Sequence, residues 1–496
     1  MPKKLPIFYS ALMLTGVNLL LRLVSTSFQV YISGRIGAAG IGLLQLVMSV
    51  GSLAMTAGMA GIRTATMYLT AGEIGRNKPQ NVCWVLSACV LYSILCSGAV
   101  SIAVYAFAPF LAEHWIGDVR TIGAIRLFSF CVPVSCLCGV MTGYFTAANR
   151  IGTLAAVEVA EQLVSMAVTM SILTLWAGSD PEKACRSIIL GSCISTCLTL
   201  SCLVVLRLKE HAPVGPRIPI KSRLLDTAVP LALADDLRSG ISTTENLMVP
   251  KRLALYSGVS DPLAAFGMVC GMVFPVLMFP AAILYALAEL LIPELARCAA
   301  AGSKQRIRYL VKRSLKVALL YGCLFCGLEF LLSRELCQWL YGSDTAGNYL
   351  RLYSVLIPML FCDAITDAMT KGLGEQKACV RYNIITSTLD VVFLFILLPR
   401  YGMMGYFFSF LVTHLLNFIL SLRRLLKIVG SVLSPTVPIM AGIGTATAVF
   451  IAAHIKQAAL RGAGYAVALF CLLVLFRVIG KEDVIWLRGL IASKKA

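Results

Sequence analysis

Residues 224–253, LLDTAVPLALADDLRSGISTTENLMVPKRL, are enough to cross a bilayer yet carry Asp235, Asp236, Arg238 and Glu245 among apolar and small side chains. A charge near the middle of a membrane helix costs roughly 2.5–3.5 kcal/mol on insertion scales, so it faces a partner or a water-filled cavity and marks a transport path. A plainer alternative is that Asp235 or Asp236 pairs with Arg238 and locks helix packing. Other acids raise the same question. Glu158 and Glu161 stand at i, i+3 on one face of an apolar segment. Two carboxylates so placed repel when both are ionised, which suits them to taking up a proton or sharing a cation. The competing reading is that both snorkel to the membrane interface. Asp363 and Asp367, at i, i+4, form the corresponding pair in the second half of the chain, and Asp390 is followed by VVFLFILL. An isolated acid in that setting must be neutral or find a base, which makes Asp390 a candidate for proton coupling. Glu289 and Glu329 read as interfacial because they stand nearer the ends of their segments.

Three arginines, Arg22, Arg63 and Arg238, also fall inside apolar segments. A guanidinium binds phosphate through two parallel N–H bonds, and a diphosphate drawn out of water needs more than one positive partner. These arginines, with Asn18, form a candidate cationic cavity; simple pairing with Glu158, Asp235 or Asp236 is the alternative. No catalytic centre is expected. The four His are scattered, the 18 Cys fall mostly in apolar segments, and Cys323 with Cys326 has neither a second Cys pair nor a nearby His. Neither a metal nor a cofactor is expected. A membrane-embedded glycan-processing enzyme would need a sizeable loop or grouped His, Asp and Glu, and a channel would need rings of charge; the chain offers neither.

These residues require a membrane scaffold. With 58% hydrophobic and 14% charged residues and a mean hydropathy of +0.84, the chain is not an ordinary soluble protein. Continuous apolar runs without period-two alternation predict an all-α polytopic membrane protein of about fourteen transmembrane helices. The predicted spans are 5–32, 41–70, 82–108, 121–147, 153–176 and 184–206, then 224–249, 263–292, 310–332, 349–370, 379–398 and 403–422, and finally 435–455 and 464–479. They group into a six-helix lobe at 1–208, a proline-bearing basic linker at 209–223, a second six-helix lobe at 224–428, two additional helices within 429–480 and an amphipathic basic tail at 481–496. A weak repeat, FQVYISGRIG at 28–37 against ENLMVPKRLA at 245–254, sets Arg35 opposite Arg252 and Asn18 opposite Asp235. It suggests lobes related by a pseudo-two-fold, the usual frame of alternating-access carriers.

Most of the 43 Lys and Arg lie in alternate connections and at both termini. By the positive-inside rule these regions and the linker face the cytoplasm, and the net charge of +19 reflects that rule and anionic membrane lipid rather than nucleic acid. A monomer is expected.

GVNLLLRLVSTSFQVYISGRIGAAGIGLLQLVMSV near the start, GYFTAANRIGTLAAVEVAEQLV at 143–164 and AVPLALADDLRSGISTTENLMVPKRL at 228–253 together resemble the stage V sporulation protein B group of polysaccharide-export proteins. That group belongs to the multidrug, oligosaccharidyl-lipid and polysaccharide flippase superfamily. The resemblance implies two six-helix lobes around a central cavity, two extra C-terminal helices, and outward flipping of a lipid-linked oligosaccharide or peptidoglycan precursor in a bacterial cytoplasmic membrane, with H⁺ or Na⁺ as coupling candidates. Cation-coupled export of drugs is the alternative within the superfamily. The acidic pair Asp235–Asp236 and the cysteine content depart from the group's pattern.

Overall fold

The computed structural model describes residues 7–76, 78–177, 180–209, 220–430, 432, 434 and 436–480, without the side chains of 7–15, 17–19, 79, 151 and 177. The Asn18 side chain, most of the 209–223 linker and the 481–496 tail therefore lie outside the described residues. Everything regular among the described residues is helical: α1 (Ile7–Met59), α2 (Ile62–Gly75), α3 (Val82–Phe110), α4 (Ile122–Ala147), α5 (Ile151–Ile172), α6 (Pro181–Leu208), α7 (Lys221–Leu253), α8 (Pro262–Gly267), α9 (Phe274–Leu277), α10 (Ala281–Ala300), α11 (Lys304–Tyr341), α12 (Asp344–Ser354), α13 (Ile357–Gly372), α14 (Gln376–Tyr401), α15 (Met403–Val429), α16 (Thr436–Ala452) and α17 (Ala458–Leu475), with short 3₁₀ and π turns between some of them.

Nine helical stretches among the described residues are long and apolar enough to cross a membrane, or eleven when the bent pairs Pro262–Leu277 with Ala281–Ala300 and Asp344–Ser354 with Ile357–Gly372 each count as one span. Three physical differences separate this from the fourteen read in the sequence. Leu20–Gly75 is one stretch of 56 residues, about 84 Å of helix at 1.5 Å per residue, more than one crossing of a hydrocarbon core needs. α7 falls short on charge, and α16, at 17 residues, on length.

The sequence reading separates the first two spans at 33–40, whereas the structure carries α1 through that stretch and departs from helical geometry only at Gly37, φ 69° and ψ −179°. That backbone region is open essentially to glycine alone, so the helix breaks there without a loop. The next break, between α1 and α2, places Ala60 at φ 43° and Gly61 at φ 69°. A Cβ on Gly61 would stand 2.5 Å from the Ala228 carbonyl oxygen. The missing side chain thus lets α7 approach the break closely and fixes which face of α7 meets α1.

The chain forms two compact units, Met1–Gly271 with Asp390–Tyr406, and Met272–Leu389 with Phe407–Ala496. In the first, α4 packs on α3, α6 and α2, and α7 lies along α1, around a core that includes Ile62, Leu69, Val85 and Phe145. In the second, α11 packs on α12, α13, α16 and α17, and α10 on α13. Tyr353 is fully buried and meets Phe274 and Phe407 edge-on at 5.3 and 5.4 Å between ring centroids. α12 and α13 form a span bent by 56°, with a proline in the first turn of α13. The two last helices are seated on α11 by Tyr465, whose hydroxyl donates to the Cys323 carbonyl at 2.6 Å and whose ring occupies the space a side chain at Gly327 would need.

Candidate functional site

In α1, Gln45, Ser49, Ser52 and Thr56 recur at three- and four-residue steps, interleaved with Met48, Met55 and Met59. In α7, Asp235, Arg238, Ser239, Ser242, Thr243 and Asn246 follow the same rule. Such spacing gathers each set on one helix face. The two faces enclose a cavity of about 660 Å³ within the first unit. Its end nearer Asn246 is stitched: Thr243 Oγ1 donates to the Ser49 carbonyl at 3.1 Å and Asn246 Nδ2 donates to Ser49 Oγ at 3.0 Å. Toward its other end Asp235 and Arg238 are both exposed to the cavity. No ion pair joins Arg238 to Asp235 or Asp236 among the described residues, so this arginine is available to a ligand. Asp236, on the next position around the helix, is half-buried, with an Oδ1 that is buried and lacks a hydrogen-bond partner. It acts electrostatically on Tyr92 of α3, whose hydroxyl donates to the Ala60 carbonyl at 3.3 Å.

Of the three arginines singled out in the sequence, only Arg238 lines this cavity. Arg63, exposed at the start of α2, stands within electrostatic reach of Glu158, as does Glu161. Glu161 also accepts from Thr196 Oγ1 at 3.1 Å. The acidic pair of α5 is therefore held between a cation on α2 and a hydroxyl on α6. Arg22 is half-buried on the first part of α1 and has a partner of its own. Asp390 on α14 also has a partner and lies close enough to Glu245 of α7 for their charges to interact. Glu245 is thus an acid beside Asp390 that the sequence reading noticed but did not assign.

The second unit holds the other pair. Asn417 Nδ2 donates to both carboxylate oxygens of Asp363, at 3.2 Å each. Ser421 Oγ donates to Asp367 Oδ1 at 3.1 Å, and Lys371 Nζ lies 3.6 Å from Asp367 Oδ2. Glu329 is buried in α11, 4% exposed, with Oε2 lacking a hydrogen-bond partner.

The structure also adds groups that sequence reasoning missed. Glu73, at the end of α2, accepts from Asn81 Nδ2 at 2.9 Å, Arg223 Nη1 at 2.9 Å and Arg76 Nη1 at 3.4 Å. Arg223 is the last basic residue of the linker. Asn417 and Ser421 carried a signal, because they repeat the i, i+4 spacing of Asp363 and Asp367 on a later helix, each 54 residues on. Among the described residues no three His, Cys, Asp or Glu converge as a metal site would require.

The comparisons agree with this architecture. A family model described as MatE matches residues 15–171 and 253–396, more than half of the chain. Stage V sporulation protein B of Bacillus subtilis (strain 168) is 23% identical over 507 aligned positions, which cover 95% of this chain and 96% of that protein. Among solved structures, the lipid II flippase MurJ in an inward closed conformation matches with a TM-score of 0.69 at 13% identity, over 96% of this chain and all of that one. A multidrug resistance MATE family transporter of the MOP superfamily, inward-facing, matches with a TM-score of 0.66 at 14% identity, over 84% of this chain and all of that one.

Proposed function

The chain belongs to the MatE family of membrane transporters, and from that premise we propose that it flips a lipid-linked oligosaccharide or peptidoglycan precursor outward by alternating access. The observation that carries this reading is the pair α16 and α17, built onto α11 through Tyr465 and Cys323. The likeness to the lipid II flippase extends over 96% of the chain, while the drug transporter is matched complete by 84%. In this reading 1–208 and 224–428 are the moving lobes, 209–223 is a cytoplasmic linker, both termini face the cytoplasm of a bacterial cell, and 429–480 offers the lipid chain a surface. Phe450, Val467 and Leu475 are exposed on that surface at 70, 64 and 72%.

A diphosphate cannot cross hydrocarbon unaided, so charge-assisted donors must replace its lost hydration. Arg238 supplies one at the α1–α7 cavity; Arg63 and Arg22, with Asn18, are assigned to the path on either side. Outward movement of each unit of anionic charge across 100 mV, inside negative, releases about 2.3 kcal/mol, so the membrane potential favours export. Glu158, Glu161, Asp363, Asp367 and Asp390 are assigned to proton or Na⁺ handling, together with Asp235 and Asp236.

One observation favours drug export as a second reading. Asp235 shares the cavity with Met48, Met55 and Met59, and a carboxylate beside polarizable, adaptable thioethers suits a cationic amphiphile. Reconstitution into vesicles with a fluorescent lipid-linked disaccharide, in parallel with a cationic dye, separates the two. Flipping of the lipid without dye efflux supports the proposal, and dye efflux without lipid flipping overturns it.

A further inference from the structure

A second pocket of the first unit, about 440 Å³, lies at the end of α7 remote from the linker and shares only Thr243 with the cavity above. From Arg223 to Arg252 is roughly 44 Å of helix at 1.5 Å per residue, so with the linker read as cytoplasmic this pocket falls toward the opposite membrane surface. Its walls are apolar: Leu53 of α1, Trp115 of the turn after α3, Leu247 and Met248 of α7, and Phe395 of α14. Its charged rim consists of Lys251 and Arg252. Of the acids on the same elements, Glu113 after α3, Asp226, Asp235, Asp236 and Glu245 of α7 and Asp390 of α14, none lines it.

Both cations are held in place by contacts that leave them donors to spare. Lys251 Nζ donates to the His114 carbonyl and, as an ammonium, has further hydrogens to offer. The Arg252 guanidinium lies 3.2 Å from the centroid of the Phe395 ring, which orients its plane while taking none of its hydrogen bonds. Arg252 Nε is buried and lacks a hydrogen-bond partner. A buried unmatched donor in a structure that satisfies most of its polar groups asks for an acceptor from outside. Two adjacent cations, one a planar fork and one a point charge, beside an apolar wall at a membrane surface fit an anion carried on a hydrocarbon chain.

We propose that this pocket binds a phosphate group attached to an apolar chain, with Lys251 and Arg252 holding the phosphate and Leu53, Trp115 and Phe395 receiving the start of the chain. The site stands apart from the transport reading, because Thr243 alone is common to it and the cavity and neither Lys251 nor Arg252 lines that cavity. A bilayer phospholipid and a polyprenyl carrier present the same chemistry to it.

Trp115 provides a local reporter. The purified full-length protein, with Trp115 as its sole tryptophan, is titrated with dihexanoyl phosphatidic acid, dihexanoyl phosphatidylcholine, a short polyprenyl phosphate and inorganic phosphate. Phosphatidic acid is expected to shift Trp115 emission at a concentration at least tenfold below that needed of phosphatidylcholine, with inorganic phosphate ineffective. Lys251→Gln combined with Arg252→Gln is expected to raise the midpoint at least tenfold, while Lys251→Arg, which keeps the charge, leaves it within about threefold and so separates binding from misfolding. A polyprenyl phosphate midpoint tenfold lower than that of phosphatidic acid identifies the carrier as occupant, and equal midpoints identify the bilayer lipid. Equal midpoints for phosphatidic acid and phosphatidylcholine, an unchanged midpoint in the double variant, or a full response to inorganic phosphate overturns the proposal.

Discussion

Arg223 at the start of α7 places Nη1 2.9 Å from Oε1 of Glu73, a side chain 150 positions earlier and only 3% exposed. The buried partner carries the energetic weight. Removing it strands the Asn81 amide, itself buried, and an unsatisfied buried donor costs about 1–3 kcal/mol. Glu73→Ala should therefore destabilise the fold by about 2 kcal/mol and lower the thermal unfolding midpoint clearly. Arg223→Gln should cost under about 1 kcal/mol, because Arg223 is 41% exposed and Arg76 remains beside Glu73. Unfolding of both variants in one detergent checks the ordering, and equal effects would show that Glu73 acts only through Arg223.

The Glu73 contact also shows where sequence reading stops. Glu73 stands at a helix end in a basic connection, where a solvated acid is the default, and nothing local shows that Arg223 returns to it. Asp235, Asp363 and Asp390 were legible because an acid in a long apolar run conflicts with its surroundings whatever the fold. Their partners were not, since Glu245 meets Asp390 only once α7 and α14 are folded together. The helical class followed from the apolar runs. The unbroken path of α1 past 33–40 did not, because a single glycine can end a span without the polar residues that announce a loop.

The acids at membrane depth should govern how transport depends on pH or cation. Glu158→Gln, Glu161→Gln and Asp390→Asn should each flatten or move the transport-versus-pH curve, since each removes a carboxylate from an apolar helix, where charge is costly. Glu245→Gln combined with Asp390→Asn should shift the curve by less than the sum of the two single changes, the behaviour of a coupled pair. Curves superimposable on the unaltered protein's would make all four residues structural.

Tyr465 seats α17 over Gly327, so Gly327→Leu should displace the last two helices from α11. If those helices carry the lipid chain, lipid flipping should fall at least tenfold while the folded fraction, followed by size exclusion, is retained. Tyr465→Phe loses one hydrogen bond, about 1 kcal/mol, and should reduce flipping far less. Unimpaired flipping by a folded Gly327→Leu protein would remove α16 and α17 from the mechanism.

Topology follows from the distribution of basic residues. In a cysteine-free background, Gly215→Cys in the linker should resist an impermeant thiol reagent in intact cells, and Ser260→Cys, between α7 and α8, should react. The reverse pattern would invert the map.

The central claim is that the substrate is an anionic lipid-linked sugar met by Arg238, and one vesicle assay addresses it directly. Flipping of a fluorescent lipid-linked disaccharide and efflux of a cationic dye are measured for Arg238→Gln, Arg238→Lys and Asp235→Asn. A bidentate guanidinium–phosphate contact is worth about 1.5–3 kcal/mol, so Arg238→Gln should slow flipping by roughly 10- to 100-fold. Arg238→Lys should lie between Arg238→Gln and the unaltered protein, and Asp235→Asn should leave flipping within about threefold. Full flipping by Arg238→Gln, together with dye efflux that Asp235→Asn abolishes, would contradict the account.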